Sequence, residues 1–360
     1  MFRIKKEMER GIWRIFLFLI LTGILLFSIV ATISIGSTDI PFSMSFGIIK
    51  DHLFQGDREL NAGVWSMPFF QIIWNIRLPR VLFAACCGAG LAVCGAAMQS
   101  LVLNPIADPY VLGISSGASA GASWALLMPL PFWNGQNQTT MMAFSGALFA
   151  AFVVYGMAKK AGGGRLQPVT LLLSGTAVNA VMSAITSYLI FRAKSPESIT
   201  AVYNWQMGSL AAAQWRTLLL PIVCVLAGSV IFTCCGSKFN MMMMGDEDAT
   251  AMGLRVRLFR SVMFVISSIM IASLVSVTGI IGFVGLVVPH AVRLLTGTSD
   301  NRIVIPLSFL LGGIYLVWAD SLARSAFHGA ELPIGIITAF VGAPCFLFLL
   351  IKNGYRGMSK

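Results

Sequence analysis

Few charged side chains are spaced so that they could do chemistry. Arg77 and Arg80 stand three apart around Pro79 in Ile76-Arg-Leu-Pro-Arg80. They read either as interfacial cations snorkelling to water or as a fixed pair able to receive an acidic partner. Asp246, Glu247 and Asp248 open a polar stretch, Gly245 to Leu254, in which Asp246 can cap a helix and the acidic first turn suits its dipole. Gly253 tolerates positive φ at the far end, so the stretch predicts about two turns of helix, roughly 10 Å long. Met252 and Leu254 offer apolar contacts beside the acidic turn, and the stretch reads as a capped connector or as a surface another protein grips. Asp320 and Arg324 are spaced i,i+4 and can pair. His290, between Pro289 and Arg293, reads as a packing residue rather than a ligand.

Catalytic and metal-binding sets are missing. The chain has no Gly-x-x-x-x-Gly-Lys-Ser/Thr phosphate loop and no His-Glu-x-x-His. Its seven cysteines are odd in number and include no Cys-x-x-Cys, so neither disulfides nor a structural metal is expected. Of the 14 acidic residues only Asp108 and Asp320 fall within predicted spans, both near span ends. Ion-coupled carriers usually place carboxylates in mid-span despite a cost of about 2.5–3.5 kcal/mol each. No catalytic residue, metal or cofactor is therefore expected on this chain. A passage without its own energy source must receive one from outside, and the 245–254 helix is the place to receive it.

The chain that positions these groups has 360 residues, 57% hydrophobic and 11% charged, against about 25% charged in soluble domains. It reads as an all-α polytopic membrane protein, one transmembrane domain over 1–360. With about 20 apolar residues per span, ten spans fit: 13–35, 78–98, 108–129, 140–158, 168–191, 215–235, 258–279, 282–296, 303–325 and 333–352. The first is longer than the apolar core of a signal peptide and reads as a retained span. An external loop covers 34–76, and a cytoplasmic loop, 238–260, carries the short helix between spans six and seven. Seventeen of the 25 lysines and arginines fall on the side of both termini, which predicts cytoplasmic termini and a cytoplasmic 245–254 helix. The same rule accounts for the net charge of +11 without a nucleic-acid partner. Gly113, Gly117 and Gly121 suggest close helix packing, with a pore-lining face as the alternative. Thr176, Asn179, Ser183 and Ser187 suit a wet interface between helices. Ser261 to Val292, uncharged and broken by Gly279 and Gly282, fits two shorter helices.

Six ordered stretches resemble the permease subunits of ATP-binding-cassette importers for ferric siderophores, haem and vitamin B12. They are Ile76-Arg-Leu-Pro-Arg80, Gly95 to Gln99 with Asn104 to Pro109, Gly245 to Leu254, Gly282 to His290, Ala319 to Arg324, and Glu331 to Gly335 with Gly342-Ala-Pro344. The resemblance covers nearly the whole chain from Ile76 onward and implies a bacterial cytoplasmic (inner) membrane location. It implies a homodimer surrounded by membrane lipid, two ATPase subunits holding ATP and Mg, and a periplasmic or lipid-anchored substrate-binding protein. Arg77, Arg80 and Arg324 match the arginines that receive the binding protein's acidic residues. Asp246, Glu247, Asp248, Ala249, Met252, Gly253 and Leu254 match the coupling helix that docks on the ATPase. Pro168 and Val169 fall where the family has its cytoplasmic gate, though small hydroxyl residues can occupy that place in the family. The implied function is import of iron–siderophore complexes, or alternatively of vitamin B12 or haem. An ion-coupled secondary transporter and a membrane-bound enzyme are the readings from other classes.

Overall fold

The computed structural model describes residues 2–36, 38, 40–128, 135–327 and 330–353, and those residues form helices and connecting turns without strands. The side chains of Arg3, Lys5, Lys6, Arg10, His328, Lys352, Arg356 and Lys360 lie outside what is described. In chain order the helices are α1 (Phe2–Ser34), α2 (Phe42–Lys50), α3 (Arg58–Asn61), α4 (Met67–Gln71) and α5 (Leu78–Leu101), then α6 (Ile114–Leu127), α7 (Gly135–Ala161), α8 (Pro168–Phe191) and α9 (Pro196–Gln206). They continue with α10 (Trp215–Cys234), α11 (Gly236–Met242), α12 (Asp246–Ala251), α13 (Val256–Thr278), α14 (Val284–Thr296), α15 (Asn301–Ser325) and α16 (Ile334–Asn353).

Among the described residues, seven helical segments are long and apolar enough to cross a bilayer: Trp13–Ser34, Met67–Leu101, Asn137–Ala161, Pro168–Phe191, Trp215–Cys234, Val256–Thr278 and Asn301–Ser325. Two of the other expected spans form shorter helices, α6 of 14 residues and α14 of 13, for identifiable reasons. Asp108 caps a single 3-10 turn, accepting from the Tyr110 N–H at 2.8 Å, and Gly113 at φ +74° then breaks the chain before α6. Between α13 and α14 the break comes from Gly279 at φ +70° and Phe283 at φ +69°, so the expected division of 261–292 into two helices is what forms. The last expected span, 333–352, forms α16, a helix of 20 residues.

One sequence expectation needs correction here. Residues 34–76 are not a loop: they hold α2, a π-helical turn at Asp51–Gln55, α3 and α4. Arg77 and Arg80 lie within a continuous helical segment, because α4 runs through a π-helical turn, Ile72–Arg77, directly into α5. Pro79 lacks an N–H and its ring crowds the preceding carbonyls. The wider π turn, in which the Leu78 N–H donates to the Ile73 carbonyl, carries the helix through that position unbroken.

α5 is the axis of the bundle. At 24 residues it spans about 36 Å, and it packs against α15, α14, α10 and α13. Its small residues make this possible. Gly88 meets the Gly312 backbone of α15, and Gly95 meets the Gly285 backbone of α14, so closely that neither leaves room for a Cβ. α6 and α7 use the same device, with Gly117 and Gly121 against Gly146 and Met142 and a buried stripe of Ala143, Ala147, Ala150 and Ala158. Without a hydrophobic drive between helices in lipid, such backbone-to-backbone approach supplies the dispersion contacts that hold them. The outward faces are apolar: Leu219, Val223, Leu226 and Val230 of α10 recur about every 3.6 residues and are exposed. A patch of that size is out of place in water and suits acyl chains.

Candidate functional site

The charged groups gather at the two ends of α5. At its first turn, Arg80 Nε donates to Asp320 Oδ1 at 3.0 Å and Oδ2 at 3.2 Å, and its Nη1 donates to Glu331 Oε2 at 2.8 Å. Arg324 Nε lies 3.0 Å from Asp320 Oδ2, which is the pairing the i,i+4 spacing predicts. Asp320 is fully buried, the three arginines are about 5% exposed, and Glu331 alone stands half in the open.

The remaining guanidinium donors close α1. Arg77 Nη1 donates to the Ile33 and Ser34 carbonyls at 3.0 and 2.9 Å, and Arg324 donates to those of Ile35 and Thr32 at 2.9 and 3.2 Å. A helix leaves its last four carbonyls unsatisfied and carries partial negative charge there. Two arginines from α15 and the start of α5 answer both needs. The three sequence-selected arginines thus lie together at one end of the bundle, engaged with partners from their own chain.

The opposite end carries α12. Its N-cap is Gly245 at φ 105°, not Asp246, because the Asp246 carboxylate is turned inward onto Arg260. The C-terminus follows the sequence expectation. Gly253, at φ 88°, donates to the Thr250 carbonyl and Leu254 to the Ala249 carbonyl, a Schellman closure. Ala249 is buried and Leu254 packs on the core, whereas Glu247, Asp248, Thr250 and Met252 face outward. A cavity of about 620 Å³ lined by Gln99, Asn104, Met244, His290 and Arg293 reaches Gly245, the N-cap of α12. Another of about 770 Å³, lined by Arg165, Glu247, Arg255 and Arg257, runs along α12 itself. A short acidic ridge bordered by a groove is a shape a complementary cleft can grip. Pro168 and Val169 open α8 at this same end, with Val169 exposed.

Sequence reasoning passed over two residues. Glu331 was part of a motif without a role, and its partner lies 251 positions away. Arg260 carries no role in the sequence reading. The signal was there: it falls on the stripe Val256, Phe259, Met263, Phe264 and Ser267 that α13 buries.

Asp300 caps α15 and is braced by Arg302 and Asn240, whose Nδ2 donates at 2.6 Å; these bonds hold its carboxyl low, at about 2. A depressed native value contributes stability that is complete above the ordinary carboxylate range and is lost as pH falls through about 2. Asp300→Asn, which keeps the cap, is expected to cost under about 1 kcal/mol at pH 7 because the site is partly exposed. Melting curves of the two proteins should converge as the pH is lowered towards 3; a constant gap would remove the charge from the explanation.

The chain matches the FecCD transport family over residues 24–352. The cobalamin import system permease protein BtuC of Halobacterium salinarum is 42% identical over 287 residues, 80% of this chain and 75% of that protein. The vitamin B12 import system permease protein BtuC of Escherichia coli is 37% identical over 309 residues, 84% of this chain and 90% of that protein. Among solved structures, a transporter described as of metal-chelate ABC type, in an inward-facing conformation, aligns with a TM-score of 0.79 and 28% identity, over 93% of this chain and 98% of that one. Family match, helical architecture and apolar outer faces lead to one conclusion: the chain belongs to the FecCD transport family and is a multi-pass ABC importer permease of the cytoplasmic membrane.

Proposed function

We propose that this chain is one half of a homodimeric permease that passes a cobalamin-class chelate from a binding protein to the cytoplasm, driven by two ATPase subunits that carry the ATP and Mg. The observation that carries this reading is the placing of two different charged sites at opposite ends of α5. Buried arginines share carboxylates at one end, and a short acidic ridge stands free at the other.

The arginine end faces outward in this reading. Lys159, Lys160, Arg165, Lys238, Arg255 and Arg257 all lie towards the α12 end, which makes that end and both termini cytoplasmic. α6, α14 and α16, with their flanking turns, complete ten crossings. Arg77, Arg80 and Arg324 receive acidic residues of a periplasmic or lipid-anchored binding protein, and half-exposed Glu331 is the contact a partner carboxylate exchanges for. Asp246 to Leu254 docks on the ATPase. Thr176, Asn179, Ser183 and Ser187 recur along the exposed face of α8 and line the passage between two copies, with Pro168 and Val169 at its cytoplasmic mouth. Closure of the ATPase pair moves α12, the attached spans tilt, and the passage changes the side it faces.

Two relatives are named for cobalamin or vitamin B12, which supports a corrinoid over an iron–siderophore complex or haem. The test is vesicle uptake by the complex purified from native membranes, with ATP supplied on the α12 side. Radiolabelled cyanocobalamin is expected to accumulate only with ATP. Uptake of ferrichrome instead changes the cargo, and uptake driven by a proton gradient without ATP replaces this reading with a secondary transporter. For the docking site, folded Arg80→Gln is expected to weaken binding-protein affinity at least tenfold and to flatten its dependence on salt. Unchanged affinity and salt slope would remove Arg80 from the interface.

A further inference from the structure

We propose that Arg260 is the positioning residue that transmits movement of α12 to the entrance of α8. The proposal rests on the reading of Asp246 to Leu254 as the ATPase-docking segment. Arg260 sits in the second turn of α13 and is 2% exposed, the largest of the fully buried side chains. Its guanidinium joins three segments that are far apart in sequence. Nε donates to the Leu101 carbonyl, the last residue of α5, at 3.2 Å. Nη1 donates to the Leu166 carbonyl at 2.7 Å, two residues before Pro168 opens α8, and to Asp246 Oδ2 at 2.8 Å. Nη2 donates to Asp246 Oδ1, which makes the hold on the first residue of α12 two-pronged.

The geometry matters because it ties α12 to a segment beyond its neighbours in the chain. α12 packs on α11 and α13, and among the described residues the Arg260 guanidinium is its polar connection to the segment before α8. Hydrogen bonds lose most of their strength with a displacement of half an ångström to one ångström, and a buried guanidinium deprived of acceptors is costly. The carboxylate of Asp246 and the carbonyl of Leu166 are therefore held at fixed separation through one rigid plane. A shift of α12 either carries residues 165–168 with it or breaks the buried contacts, so the low-energy course is joint movement. Lysine cannot replace this arrangement, since a single ammonium has no fork with which to span both acceptors.

The test follows the entrance of α8 directly and needs no knowledge of the cargo. Val169→Cys, in a background with Cys234→Ser and Cys235→Ser, is reacted with a membrane-impermeant maleimide in the permease purified with its ATPase subunits, with and without ATP and vanadate. In the parent the nucleotide is expected to change the labelling rate at least threefold. With Arg260→Lys that change is expected to fall below 1.5-fold while the ATPase subunits still co-purify and still hydrolyse ATP. Asp246→Asn, which keeps shape at a partly exposed position, is expected to give an intermediate loss and decides the matter if the Arg260 variant does not fold. A response in both variants equal to the parent's overturns the proposal, as does loss of ATPase co-purification in Arg260→Lys, which would make Arg260 a support of the docking surface only. If no ATPase subunit accompanies the unaltered chain, the docking reading of α12 fails as well, and the two failures are thereby told apart.

Discussion

Replacing Asp320 by asparagine is expected to cost about 3–5 kcal/mol of stability, the toll of leaving buried charges without their partner. Asp320 is fully buried and is the counter-ion of two arginines, each within about 3 Å. Arg80 keeps Glu331 when Asp320 is neutralised, but Arg324 keeps only the carbonyls of Thr32 and Ile35. Those same bonds pin the end of α1, so the damage should extend to the α1–α15 contact. In detergent the midpoint of unfolding should fall by on the order of 10 °C, read from a thiol-reactive dye as the buried Cys87 and Cys94 come within reach. Asp320→Asn with Arg324→Gln removes the stranded cation together with its partner and should recover more than 1 kcal/mol of the loss. Additive losses would show that Asp320 acts through packing and not through charge.

Much of this arrangement was legible from local spacing, because helices impose fixed neighbours. Asp320 with Arg324 and the Schellman closure at Gly253 are both events within a turn or two of one helix, and both form as read. The division of 261–292 at Gly279 was legible for a similar reason, since a glycine at positive φ is a local matter. What escaped depended on partners distant in sequence. The bond from Arg80 to Glu331 and that from Arg260 to Leu166 join residues that no periodicity relates. Arg260 also shows how a tertiary partner overrides a local preference: by taking the Asp246 carboxylate it leaves the N-cap position to Gly245. The helices between residues 42 and 77 were hidden by shortness, since segments of four to nine residues carry too few repeats to declare a period.

Gly95→Val should prevent accumulation of folded protein, while Gly156→Ala should leave the protein unharmed or make it more stable by up to about 1 kcal/mol. Both glycines lie inside long helices, so local propensity favours replacing either. They differ in what faces them. A Cβ at Gly95 would overlap the carbonyl group of Gly285, whereas nothing lies within 4 Å of one at Gly156. Backbone cannot turn aside as a flexible side chain can, and inserting even one methylene into a tight core costs about 1–3 kcal/mol. One turn further along α5, Gln99 Nε2 donates to the same Gly285 carbonyl and Gln99 Oε1 accepts from Arg293 at 2.6 Å, so parting α5 from α14 would also undo that polar contact. Gly95→Ala should fall between the extremes, losing about 1–3 kcal/mol, and size-exclusion profiles with dye-melting midpoints of the three variants would rank them. An order in which Gly156→Ala is the most damaging would mean that backbone entropy, and not the close approach of helices around α5, sets where this chain needs glycine.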